Sequence, residues 1–313
     1  MSIPDKSNGV RQVEVDNDRA GQRVDNFLSA RLKGLPRSAV YRMIRTGQVR
    51  INGKRCKPAS RLEAGDVVRI PPARTRDDGQ VVISDRVLEQ VRAAVLFENA
   101  DFMVIDKPTG MAVHSGSGLP WGLVDVVRRI YPAEYVELAH RLDRETSGCV
   151  VLARNGNALG YLNTLFRDDL IEKRYLCLLD GRLAESMVEV DAPLQKVQDQ
   201  AESRVVISEE GKPALTRFRL LQAYTDSSYV EAELCSGRTH QIRVHAQSLG
   251  LPLAGDEKYA EAGSLARWKS RGLKRLFLHA HRLAFTGPSG EEMVFAANLP
   301  VDLKGLLDEL EPA

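Results

Sequence analysis

The densest group of polar side chains lies at residues 140–148, which read His-Arg-Leu-Asp-Arg-Glu-Thr-Ser-Gly. Asp143 stands between Arg141 and Arg144, and two neighbouring cations would hold its carboxylate ionised. An ionised carboxylate can act as a nucleophile or as a base. A plain loop ion pair is the alternative, because ion-pair networks are commoner than active sites. The apolar run at 149–153 predicts a strand that presents this loop.

Two further segments carry side chains that could belong to the same site. Residues 236–245 read Ser-Gly-Arg-Thr-His-Gln-Ile-Arg-Val-His and predict the start of a helix, in which Arg243 would point inward as the partner of a buried acid. His240 and His245 are five positions apart and do not share a helix face, so we interpret them as hydrogen-bonded histidines and not as metal ligands. Tyr175 begins a β-like run, where a tyrosine by itself indicates packing.

The segments around these residues predict a sheet with helices packed on it. Many β-like runs follow one another with no helix between them, which favours an α+β fold with a largely antiparallel, mixed sheet over a doubly wound one. Strands are predicted at 95–98, 102–106, 150–153, 174–179, 217–224, 229–234, 277–285 and 292–296, and helices at 122–130, 157–167 and 239–248.

The positive charge of the chain is concentrated near its N-terminus. Residues 19–76 hold 15 Lys and Arg against three acids, a net charge of +12. Residues from Asp77 onward hold 27 bases and 35 acids, a net charge of −8. A cationic segment beside an acidic body is expected of a protein with a polyanionic partner, such as a nucleic acid.

This cationic segment has the pattern of a small αββ module. Apolar spacing predicts one helix over 23–33 and a second that begins at Pro36, and Asn52-Gly53 predicts a hairpin turn. Strands are predicted at 48–51, 54–57 and 67–70. We therefore divide the chain into a flexible tail at 1–18 that leads into a short strand near Val13, the module at 19–76, a linker at 77–90 and a second domain at 91–313.

Several classes of protein are not expected. No apolar run approaches the ~18 residues of a membrane span, and the first residues are too polar for a signal peptide, which predicts a cytoplasmic protein. The four cysteines stand far apart with no C-x-x-C pair, so neither a zinc nor a redox site is expected. They are Cys56, Cys149, Cys177 and Cys235.

Five ordered motifs resemble those of the pseudouridine synthases that modify ribosomal and transfer RNA. They are Lys-Pro-x-Gly at 107–110, the H-R-L-D-x-x-T-S-G loop at 140–148, Lys-x-Tyr at 173–175, the arginine motif at 238–245 and Leu-His-Ala at 278–280. The basic module resembles the S4-type RNA-binding domain. Together they are similar to the large-subunit (23S) ribosomal RNA synthases, and residues 32–38, 114–118 and 192–194 look most like the C-type subgroup.

The resemblance implies an isomerase that acts on a uridine flipped out of folded RNA, with no cofactor, nucleotide or metal. It assigns the essential carboxylate to Asp143, as nucleophile or proton acceptor, and the role of its ion-pair partner to Arg243. Tyr175 would stack on the detached uracil, Leu278 would contact the ring from another side, and Arg141 would fill the gap that the base leaves.

The same resemblance implies binding to structured loops of large-subunit ribosomal RNA, and we expect the protein to act as a monomer. Further residues are expected to contact that RNA, namely His140, Lys107 and Arg238 in the second domain and Arg37, Arg42, Arg45, Arg50, Lys54 and Arg55 in the basic module.

Other functions fit part of the pattern. A related synthase could act on another structured RNA. The basic module alone would suit a non-catalytic RNA-binding or ribosome-assembly factor, which need not carry an acid at position 143. A glycosidase needs two facing carboxylates, and Glu145, only two residues from Asp143, makes a poor partner for it.

Overall fold

The computed structural model describes residues 9–32, 35, 37–72, 82–115, 119–199 and 202–313. The helices in these ranges are α1 (Val24–Arg31), α2 (Arg37–Arg45), α3 (Asp85–Ala93), α4 (Leu123–Ile130), α5 (Gly156–Arg167), α6 (Gln241–Ser248), α7 (Ala262–Ser270) and α8 (Val301–Asp308). The strands are β1 (Arg11–Glu14), β2 (Arg50–Ile51), β3 (Lys54–Arg55), β4 (Val67–Ile70), β5 (Val95–Glu98), β6 (Phe102–Lys107), β7 (Glu137–Leu138), β8 (Ser147–Ala153), β9 (Glu172–Leu179), β10 (Met187–Asp191), β11 (Leu194–Asp199), β12 (Glu202–Ile207), β13 (Leu215–Ala223), β14 (Ser228–Leu234), β15 (Leu278–Thr286) and β16 (Glu292–Ala296).

The N-terminal module is an antiparallel sheet of order β1-β4-β2-β3 packed against α1 and α2. Phe27 of α1, Ile44 of α2 and Val68 of β4 belong to one buried cluster. The short strand expected near Val13 is β1, and it pairs with β4 along its whole length. The expected strand is therefore present, and it belongs to the sheet of the module, which begins before the expected boundary at residue 19.

The second domain is built on a ten-stranded sheet. Its main path runs β10-β13-β14-β9-β15-β8-β6-β5, while β16 pairs with β15 and β7 with β8. Among the described strands of this sheet, β8 and β15 form the one parallel pair. The α+β fold with a largely antiparallel, mixed sheet is confirmed, and all eight predicted strands and three predicted helices are present.

The expected linker at 77–90 overlaps a helix. Helix α3 begins at Asp85 and continues to Ala93, and its Val91 is buried in the same cluster as residues of α4. The second domain therefore begins before residue 91, and the linker prediction was wrong at its C-terminal end. Residues 77–81 of the expected linker lie outside the described part of the chain.

The two faces of the large sheet bury separate clusters of apolar side chains. Strand β8 is buried along all seven residues, and its side chains alternate between the faces: Val150 joins the cluster beneath α4 and α6, whereas Val151 joins the cluster beneath α5. Tyr175, Leu278 and Leu142 belong to the first cluster. The loop before β8 thus lies on the face that α4 and α6 cover.

The described residues show neither a helix that could span a membrane nor a cluster of metal ligands. Within the ranges that the structure describes, none of the helices combines the length and apolar character needed to cross a bilayer. Among the same residues, no group of three or more His, Cys, Asp or Glu is arranged to hold a metal ion.

Candidate active site

The loop at 140–146 ends where β8 begins its parallel pairing with β15. Gly148 lies opposite Ala280 in that pairing and has φ +111°, a conformation that side chains disfavour. A Cβ at this position would collide with the carbonyl group of Ala280. Glycine is therefore required where the loop joins the sheet, and this close contact fixes the base of the loop.

Lys107 fixes the loop through hydrogen bonds to backbone carbonyl groups. Its side chain is fully buried, and its Nζ donates to the carbonyl oxygens of Pro108 (2.9 Å), Met111 (2.8 Å) and Arg144 (3.2 Å). Burial lowers the pKa of Lys107 to about 7. The expected RNA contact of Lys107 was wrong, because its donors are used by carbonyl groups inside the protein. It positions the loop.

His140 anchors the other end of the loop. Its Nε2 accepts a hydrogen bond from the backbone N–H of Val151 (3.0 Å), and its ring stacks on Phe166 with 4.5 Å between centroids. Burial lowers the pKa of His140 to about 3, so the ring is neutral. The structure contradicts an RNA contact through this nitrogen, because the strand β8 uses it.

Asp143 lies between these fixed ends and faces a cleft of about 760 Å³. Its side chain is 23% exposed, and its Oδ2 lies 3.7 Å from Nε2 of His240. Arg141 lines the same cleft and is exposed. The cleft is lined by seven bases and three acids, so it suits an anionic ligand. The bases are Arg141, Arg144, Arg243, Lys258, Lys269, Lys274 and Arg275, and the acids are Asp143, Glu145 and Glu257.

Arg243 does not pair with Asp143 as expected. Its Nε and Nη2 donate to the two carboxylate oxygens of Asp256 at 2.7 and 2.6 Å, and both side chains are almost completely buried. Asp256 also accepts from the backbone N–H groups of Lys258 and Tyr259. Arg243 thus fixes the turn at 256–259, which contributes one wall of the cleft.

Tyr175 and Leu278 lie together under the loop, in the core. Tyr175 pairs with Ala232 in β14, and Leu278 lies opposite Cys177, so the two side chains share one face of the sheet. Burial raises the pKa of Tyr175, and the negative charge of Asp143 raises it further. The phenol is therefore neutral and within electrostatic reach of Asp143.

The expected RNA-contacting residues of the basic module are exposed where the structure describes them. Arg55, Arg50 and Arg69 are directly paired across β3, β2 and β4 and form a row of cations on one face of the sheet. Arg42, Arg45 and Lys54 are also exposed, and the side chain of Arg37 lies outside the described part. Like charges that face each other on neighbouring strands destabilise a sheet, so a row of three arginines lowers the stability of the module. Such a row is typical of a surface that binds phosphates.

In the second domain, Arg238, an expected RNA contact, is exposed, and its Nε donates to the carbonyl of Pro213 (3.1 Å). His245 is fully buried and hydrogen-bonded to Thr216 and to the carbonyl of Ala192, which confirms its interpretation as a hydrogen-bonded residue. His240 was given the same interpretation, and its position beside Asp143 was missed. The only signal in the sequence was its place in the arginine motif, three residues before Arg243.

Comparison with known proteins identifies the family. A model described as RNA pseudouridylate synthase matches residues 101–248, and one described as S4 domain matches residues 22–68. Ribosomal large subunit pseudouridine synthase C of Haemophilus ducreyi is 40% identical over 309 residues, which is 97% of this chain and 97% of that protein. The chain therefore belongs to the RNA pseudouridylate synthase family and carries an S4 domain.

Other relatives agree with this assignment. Ribosomal large subunit pseudouridine synthase C of Escherichia coli K12 is 43% identical over 312 residues, or 97% of this chain and 98% of that protein. The structure of human RNA Pseudouridylate Synthase Domain Containing 4 has a TM-score of 0.60 and 28% identity, and the match covers 72% of this chain and 97% of that one. The predicted family, fold and enzyme class are confirmed.

Proposed function

We propose that this enzyme converts specific uridines of large-subunit (23S) ribosomal RNA into pseudouridine and that Asp143 is its essential carboxylate. The position of Asp143 carries the proposal: it faces a cationic cleft from a loop whose two ends are held inside the protein by Lys107 and His140. The names of relatives that align over nearly the whole chain support the choice of RNA.

The reaction breaks the C1′–N1 bond, turns the uracil in the site and joins C5 to C1′. The C5 proton leaves and N1 takes up a proton, so no electrons are exchanged with another reagent. Asp143 would act on the sugar as a nucleophile or on a proton as a base, and either role requires an oxygen that the substrate can reach. The exposed part of its side chain in the cleft meets that requirement.

Tyr175 and Leu278 would hold the detached uracil. Both side chains belong to the apolar cluster beneath the loop, and an apolar surface lets a ring turn without giving up hydrogen bonds. Because its pKa is raised, Tyr175 would remain a phenol at neutral pH and would act by ring contact or through its hydroxyl, not as a phenolate base.

The target base must first leave its stack, which costs a few kcal/mol. Arg141 is exposed at the cleft beside Asp143, and its planar guanidinium could occupy the gap in the stack. The row formed by Arg55, Arg50 and Arg69 would bind phosphates elsewhere on the same folded RNA. Such an enzyme would act as a monomer in the cytoplasm, where ribosomes assemble.

The test is release of tritium from large-subunit ribosomal RNA labelled at C5 of uridine. Asp143→Asn changes charge and reactivity at nearly constant volume, and we expect it to abolish release while RNA affinity stays within about twofold. Glu145→Gln is the matched control, because Glu145 lines the same cleft with half of its side chain exposed. Release by Asp143→Asn above about one per cent of the wild-type rate would refute the role of Asp143.

A further inference from the structure

His240 is held in one orientation by the turn that precedes α6. Its backbone is left-handed, with φ 54° and ψ 19°. The next residue, Gln241, is buried, and its Oε1 accepts from the hydroxyl of Ser236 (2.8 Å) and the backbone N–H of Arg238 (3.0 Å). A sparsely populated backbone conformation persists where the surroundings determine it in this way, commonly at functional sites.

The Nδ1 side of the His240 ring faces a tyrosine that determines which nitrogen carries the proton. Nδ1 lies 2.8 Å from the hydroxyl of Tyr259, and that hydroxyl also accepts the backbone N–H of Val205 (3.2 Å). Tyr259 is buried, and among the described residues Nδ1 is the acceptor available to its O–H. Since a buried O–H is normally bonded, Tyr259 donates and Nδ1 accepts.

The opposite side of the ring faces Asp143. With Nδ1 as the acceptor, a neutral imidazole carries its proton on Nε2, which lies 3.7 Å from Oδ2 of Asp143. The charged groups around His240 are Asp143 and Asp256, which favour the imidazolium, and Arg243 and Lys258, which oppose it. Burial outweighs them and lowers the pKa of His240, so the ring is neutral at neutral pH.

We propose that His240 is a positioning residue for the isomerisation: its Nε2–H donates to the carboxylate of Asp143 in the substrate complex and directs it, while Tyr259 keeps the proton on Nε2. The distance of 3.7 Å is slightly longer than an N–H···O hydrogen bond, and a small rotation of Asp143 would close it. Catalytic hydrogen bonds are commonly long before the substrate binds. This inference rests on the proposed role of Asp143.

Two substitutions separate the donor from the rest of the side chain. The amide nitrogen of glutamine can reach roughly the position of Nε2, whereas asparagine reaches only as far as Nδ1 and also tolerates the left-handed backbone. In His240→Asn we expect the single-turnover rate at saturating RNA to fall roughly 10- to 100-fold, the range for losing one hydrogen bond to a charged group. The RNA concentration for half-maximal rate should stay within about twofold.

His240→Gln should recover most of the rate that His240→Asn loses, because it restores a donor toward Asp143. A His240→Asn rate equal to that of the wild type would overturn the proposal, and so would equal losses in both variants. Loss of RNA binding in place of turnover would also overturn it. If Asp143→Asn is fully active, the proposed function itself fails; if Asp143→Asn is inactive and His240→Asn is unimpaired, only the present inference fails.

A spectroscopic readout tests the tautomer without any RNA. The chain has six histidines, so ¹⁵N-histidine labelling gives a simple spectrum, and His240→Asn identifies the resonances of His240. At pH 7 we expect a neutral ring protonated on Nε2, and Tyr259→Phe should redistribute the proton between the two nitrogens. A ring protonated on Nδ1, or a charged ring, would overturn the proposal.

Discussion

The ion pair of Arg243 and Asp256 allows a quantitative test of the cleft wall. The two side chains are 9% and 0% exposed and share two short hydrogen bonds. Arg243→Met keeps the aliphatic stem but leaves the carboxylate of Asp256 buried without its cation, and removing one partner of a buried pair costs about 3–5 kcal/mol. Asp256 would keep the N–H groups of Lys258 and Tyr259, so we expect about 3 kcal/mol of destabilisation.

A second substitution tests the cause of that loss. Asp256→Asn removes the charge but keeps an oxygen for the two backbone N–H groups. Combined with Arg243→Met, it should therefore recover roughly 1–3 kcal/mol, the size of coupling seen between residues in direct contact. The double variant should be more stable than Arg243→Met alone. If the two sites were independent, their losses would add and the double variant would be the less stable of the two.

The assay is urea unfolding followed by tryptophan fluorescence. Both tryptophans, Trp121 and Trp268, lie in the second domain, and Trp268 is fully buried, so the signal follows this domain and not the S4 domain. A destabilisation by Arg243→Met of less than about 1 kcal/mol would refute the reasoning. It would then favour the pairing with Asp143 that the sequence suggested.

Two further predictions concern charge. Burial lowers the pKa of Lys107 to about 7, whereas an unperturbed lysine titrates at 10.5, so the unfolded state binds more protons between pH 7 and 8.5. The unfolding free energy should rise with pH in that window more steeply in the wild type than in Lys107→Met; equal slopes would mean that Lys107 stays protonated in the fold. In the S4 domain, Arg50→Gln with Arg55→Gln should make the salt dependence of RNA binding shallower by roughly one to two units of log K per decade of salt. The exposed Arg167→Gln should leave it unchanged, and equal salt slopes in wild type and double variant would show that this row of cations does not bind phosphate.

The strands that could be predicted from the sequence are those whose apolar residues form a clear run or alternation. Strand β8 is buried on both faces and appears in the sequence as a continuous apolar run, so it could be identified without knowledge of its neighbours. The hairpin of β11 and β12 was missed because it carries mostly polar side chains; of its side chains that the structure describes, Leu194 and Val205 are the buried ones, in a small cluster. Helix α7 was missed for a similar reason, since Trp268 is its one buried residue.

The site was predicted less completely, because partners depend on contacts between distant segments. The sequence suggested that Arg243 would pair with a buried acid, but it could not show which acid is buried. Asp256 is fully enclosed, whereas Asp143 is partly exposed. Similarly, Lys107 and His140 belong to motifs of an RNA-modifying enzyme and were expected to contact the RNA. Instead, Nζ of Lys107 donates to a backbone carbonyl of the loop, and Nε2 of His140 accepts from a backbone N–H of β8.

Net charge and local charge give different expectations for the second domain. Its body carries −8 from Asp77 onward, which by itself would repel RNA, yet the cleft beside Asp143 is lined by seven bases and three acids. At physiological salt, exposed charges are screened over about 8 Å, so a phosphate that enters the cleft responds to the cations around it and much less to distant acids. The S4 domain, with +12 over residues 19–76, would therefore supply attraction at longer range, and the cleft would supply short-range contacts that place one uridine at Asp143.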